Sequence, residues 1–105
     1  MNLKRGVKLT NLTPQMTLGC VIVEGVYKRL QPGYDPTITS VDDSQHGTPT
    51  LHGKGRAVDW RTKDYPGDKY GLQKEVKAAL GDDFDVVLED LHGPNEHLHT
   101  EHDPR

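Results

Sequence analysis

From Thr13 onward the apolar residues Met16, Cys20, Val23, Tyr27 and Leu30 recur every three or four positions, the period of one helix face. Thr13 offers an N-cap hydroxyl, and Pro14 suits the first helical position, where its missing N–H would have had no partner. Gly33 and Pro36 stop this helix. The β-branched run Val21-Ile22-Val23 works against it locally, by restricting χ1. Thr37-Ile38-Thr39, inside Pro36 to Val41, predicts a short strand. Asp42 to Gly55 is polar and rich in glycine, a loop. Arg56 to Arg61 then alternates, with Ala57, Asp59 and Arg61 on one side and Val58 and Trp60 on the other, the period of a strand. Asp68 to Leu80 predicts a second helix, with Leu72, Val76 and Leu80 on one face and Gly81 as its stop. Phe84 to Leu88 predicts another strand, Gly93-Pro94 a turn, and His97 to His102 a last strand. The regular β-α alternation of a doubly wound fold is missing. The pattern predicts one α+β domain over residues 1–105, a small antiparallel sheet packed with two main helices.

Composition narrows the function. Apolar residues make up 32% of the 105, so the core is modest and a bound metal would add stability. Thirteen basic and sixteen acidic residues give a net charge of -3, which offers no attraction to nucleic acid or to an anionic membrane. One cysteine, Cys20, excludes an internal disulfide and a cysteine-based zinc site. Met1 to Thr13 has no apolar run of signal-peptide length, and no stretch approaches the roughly 18–20 apolar residues of a membrane span. The expectation is a soluble monomer made in the cytoplasm, with any release to the periplasm or cell wall by a phage-type route.

Six histidines, at 46, 52, 92, 97, 99 and 102, all follow the first helix. Any one of them alone is most simply a solvated loop histidine; their arrangement suggests more. His52 and Asp59 are seven positions apart, about 23 Å if the chain were extended. Donor atoms of one metal ion lie only about 2 Å from it, so the chain between them has to reverse, and Gly53 and Gly55 permit that turn. Asp59 stands between Val58 and Trp60, where a carboxylate needs a partner if it is buried and faces water if the strand lies at an edge. Glu96-His97-Leu98-His99 forms a second cluster. Hydrolytic zinc sites keep three protein ligands and one open position, with a general base nearby that does not bind the metal. A glutamate three residues before a ligand histidine suits that role; a solvated glutamate is the plainer alternative. His97 and His99 share one side of a regular strand, and either could reach a metal.

Thr50, His52, Gly55, Ala57 and Asp59 together resemble the S/T-x-H-x-x-G-x-A-x-D signature of the zinc D-Ala-D-Ala carboxypeptidase and dipeptidase family. That family includes phage endolysin L-alanyl-D-glutamate peptidases and shares its fold with the hedgehog signalling domain. Glu96-His97-Leu98-His99 resembles the family's E-x-x-H. The resemblance implies a hedgehog/DD-peptidase-like fold and Zn2+ held by His52, Asp59 and His99. It also implies Glu96 as catalytic base and peptidoglycan stem peptides as substrate. Many members carry an upstream arginine that stabilises negative charge on the substrate. Val41-Asp42-Asp43-Ser44 has none, which leaves His46 and Arg56 as stand-ins and His97 as a further substrate-binding candidate.

Two functional readings follow. The first is a zinc metallopeptidase acting on cell-wall peptides, a minimal phage or prophage lysin. The second is a non-catalytic, zinc-stabilised structural or peptide-binding module of the same fold. A metal-dependent nuclease fits poorly, since the chain has no basic stripe.

Overall fold

The computed structural model describes residues 1–41 and 55–104. It holds seven elements: β1 (Asn2–Leu3), α1 (Pro14–Leu30), β2 (Thr37–Val41), β3 (Ala57–Arg61), α2 (Lys69–Leu80), β4 (Phe84–Glu89) and β5 (His97–His102). The last six follow the predicted order, and β1 was not predicted. Thr13 does cap α1, its side chain accepting from the Met16 N–H at 3.1 Å, and Asp68 caps α2 by accepting from the Tyr70 N–H at 3.1 Å. Gly81, with φ of 89°, closes α2 in a conformation that costs other residues strain. The predicted loop from Asp42 lies almost wholly outside the described residues.

The strands form one sheet in the order β1-β2-β3-β5-β4. Pairing is antiparallel from β2 to β4, as the pattern predicted, but β1 runs parallel to β2, so the sheet is mixed rather than antiparallel throughout. Two residues are too few to show a period. β1 is held by backbone bonds instead, from Asn2 N–H to the Pro36 carbonyl and from Lys4 N–H to the Ile38 carbonyl, each 2.8 Å.

Both helices pack on one face of the sheet. Met16, Cys20, Val23 and Tyr27 of α1 and Leu72 and Val76 of α2 meet Ile38, Val58, Trp60 and Leu98 there, all but fully buried. The polar atoms of this core are paired. Trp60 Nε1–H donates to Thr100 Oγ1 at 3.2 Å, and that hydroxyl donates to the Val58 carbonyl at 2.8 Å. Because side chains alternate, burying Val58, Trp60, Leu98 and Thr100 turns Asp59, Arg61, His97, His99 and Glu101 to the opposite, open face.

Gly55 anchors the entry to β3. Its φ is +74°, and a Cβ built there would lie 1.8 Å from the Asn11 carbonyl oxygen. Its own carbonyl accepts from the Thr13 N–H at 3.0 Å, which ties β3 to the start of α1. Gly55→Ala is expected to cost roughly 1–3 kcal/mol from the left-handed backbone alone. The melting temperature should fall by about 4–8 °C for each kcal/mol, and an unshifted melting curve would refute this reading of Gly55.

Candidate metal centre

On the open face, three transverse rows cross the central strands. Arg61, His97 and Glu89 lie side by side on β3, β5 and β4; next come Asp59, His99 and Val87; then Ala57, Glu101 and Asp85. The two histidines therefore stand on the middle strand, with acidic side chains around them. His99 Nδ1 lies 2.7 Å from Asp59 Oδ1, and its Nε2 lies 3.0 Å from Glu101 Oε1. His97 Nδ1 contacts the Asn95 carbonyl at 2.5 Å, while its Nε2 is 2.9 Å from Glu89 Oε1 and 3.7 Å from Asp59 Oδ2.

These contacts set the charge states. The hydrogen bond to Asp59 raises the His99 pKa to about 9, with help from Glu101 and against partial burial. Burial opposes protonation of His97, but the Asn95 carbonyl and the carboxylates of Asp59 and Glu89 outweigh it and raise its pKa. Each ring nitrogen of His99 thus faces a carboxylate oxygen, an arrangement that favours the imidazolium, with both nitrogens donating.

Asp59, Glu89 and His99 each offer a ligand atom within 4.8 Å of the others, a group that could hold a metal ion. One imidazole nitrogen with carboxylate oxygens suits zinc and related divalent ions. Metal binding has to displace the Nδ1 proton of His99, so affinity will rise with pH.

Two of the three ligands expected from the sequence, Asp59 and His99, are thus brought into contact. His52 and His46 lie outside the described residues. Arg56 precedes β3, its carbonyl accepting from the His102 N–H at 2.8 Å, and it does not line the cavity beside Asp59. That cavity, about 450 Å³, is lined by Asp59, Glu96, His97 and the cations Lys4, Arg61 and Lys63. Among the described residues, Arg61 and Lys63 are better placed than Arg56 to meet a negative charge there.

Glu96 reaches the same cavity from the turn between β4 and β5, but its carboxylate is heavily engaged. Oε1 accepts from Thr62 Oγ1–H and Lys69 Nζ–H, each at 2.7 Å, and Oε2 accepts from the His92 N–H at 2.7 Å. The side chain is only 2% exposed. Burial pushes its pKa up, but the bonds from Lys69, His92 and Thr62 prevail and bring it to about 2.

Glu89 was missed in the sequence, where the fourth strand ended one residue earlier. Alternation from Asp85 through Val87 would have placed it on the open face. The Gly93-Pro94 turn folds β4 back on β5 and sets it beside His97. His92 is exposed, and His102 packs against Phe84 at a tilt, with ring centroids 4.9 Å apart, on the opposite face from His99.

No family model matches this sequence, no curated protein is significantly similar to it, and no solved structure matches its fold.

Proposed function

We propose that this protein is a zinc-dependent peptidase acting on peptidoglycan stem peptides, in the manner of a phage or prophage lysin. The observation that carries the reading is the 2.7 Å contact of His99 with Asp59 across the β3–β5 pairing, beside a cavity that Glu96 also lines. Asp59 and His99 are two of the three ligands that the signature implies, and His52 would complete the set. When bound, zinc supplies a Lewis acid that polarises the scissile carbonyl and makes water more acidic. Glu96 takes the proton of the attacking water and delivers it to the leaving amine. A carboxylate has about four acceptor sites, and among the described residues three donors reach Glu96, so a fourth site would take that water. Lys4, Arg61 and Lys63 suit a substrate with free carboxylates, as stem peptides have.

One observation favours the alternative, a non-catalytic zinc-stabilised module. A carboxylate tied to three donors, with a pKa of about 2, is a weaker base than an enzyme at neutral pH usually employs. Purified peptidoglycan and D-Ala-D-Ala peptides, incubated with the zinc-loaded protein and analysed by mass spectrometry, separate the two. The peptidase reading expects new peptide fragments that disappear when a chelator is added. Intact substrate in both samples would favour the module.

A further inference from the structure

Glu101 has no place in either motif, yet it touches the centre. His99 and Glu101 are alternate residues of β5 and project to the same face. The imidazole bridges two carboxylates there, with Nδ1 at 2.7 Å from Asp59 Oδ1 and Nε2 at 3.0 Å from Glu101 Oε1. Ala57 sits opposite Glu101 on β3 and offers it only a methyl group from that strand position. All three polar side chains are between 17% and 26% exposed, dry enough for a charge-assisted bond to hold a geometry.

We infer that Glu101 is a positioning residue for the metal centre: it holds His99 by Nε2–H, so that Nδ1 faces Asp59 and is the nitrogen presented to a metal ion. This rests on the reading of Asp59 and His99 as ligands. Ligand histidines commonly give their second N–H to a carboxylate, which fixes the tautomer and the ring orientation and makes the ligand nitrogen a better donor. Three side chains then form a relay along the sheet, from Glu101 to His99 to the site beside Asp59. Glu89 lies 3.9 Å from the same Nδ1 and approaches the site from the opposite strand.

The test uses the full chain with zinc alone as ligand, its affinity measured by competition with a chromophoric chelator. Glu101→Ala should weaken zinc binding by about 10–100-fold, the usual effect of losing such a partner. Glu101→Gln, whose carbonyl oxygen still accepts from Nε2–H, should recover much of that loss. In the zinc-loaded wild type, nitrogen NMR of His99 should show a protonated Nε2 and a metal-bound Nδ1. The inference is overturned if Glu101→Ala binds zinc like wild type while His99→Ala does not, or if His99 shows the opposite tautomer. If wild type takes up no zinc, or if His99→Ala binds it unchanged, the ligand assignment itself falls and this inference falls with it. The NMR result on wild type does not depend on how well any variant folds.

Discussion

Replacing His99 by alanine should lower zinc affinity by about 100-fold or more, with the fold kept. Losing a residue that merely orients a ligand costs about 10–100-fold, so losing the ligand itself starts at the top of that range. The substitution is tolerable because His99 lies on the open face and fills no part of the core between sheet and helices. Asp59→Ala should behave alike, since its Oδ1 is the nearest anionic donor to His99 Nδ1. Glu89→Ala should matter less, because Glu89 is about half exposed and 3.9 Å from that nitrogen. Competition against a chelator at neutral pH gives the affinities, and circular dichroism checks the fold. Zinc bound by His99→Ala as tightly as by wild type would remove His99 from the ligand set.

Glu96 should produce the largest effect on turnover. A group that handles the proton contributes about 10²–10⁴-fold in rate, and Glu96→Gln should lose that much while retaining zinc. Glutamine is the better substitution here. Alanine would also strand the fully buried Thr62 hydroxyl and the partly buried Lys69 ammonium, and so would confuse loss of catalysis with loss of structure. The same contacts predict an acid signature. The folded-state pKa of Glu96, about 2, is below the ordinary value of 4.5. The carboxylate therefore contributes stability in full above about pH 4.5, and loses it as pH falls through 2. The contribution is at most roughly 3 kcal/mol. Urea unfolding across that range should show a steep acid limb for wild type and a flatter one for Glu96→Gln. If wild type cleaves and Glu96→Gln cleaves as fast, Glu96 is not the base; if the acid limbs coincide, its three contacts are worth little.

Much of this was legible in the sequence, for identifiable reasons. The helices announced themselves through period and caps. Thr13-Pro14 starts α1, Asp68 starts α2, and Met16, Cys20, Val23 and Tyr27 all reach the core. The alternation of Ala57 to Arg61 correctly turned Asp59 away from Trp60. What alternation cannot supply is register, which long-range pairing decides. That Asp59 stands opposite His99 follows from the β3–β5 ladder, and that Glu89 stands beside His97 follows from the turn of 90–96. β1 was invisible because its backbone bonds need no side-chain pattern. The engagement of Glu96 was equally hidden. Lys69 and Thr62 are 27 and 34 positions away from it, and nothing local marks them as its partners.

On the proposed function, one zinc ion sits between Asp59 and His99. Anomalous diffraction at the zinc edge, from crystals grown with stoichiometric zinc, tests it most directly. A single strong peak is expected about 2.0–2.2 Å from an Asp59 carboxylate oxygen and from His99 Nδ1. A zinc peak elsewhere on the protein, or none within reach of these two side chains, would contradict it.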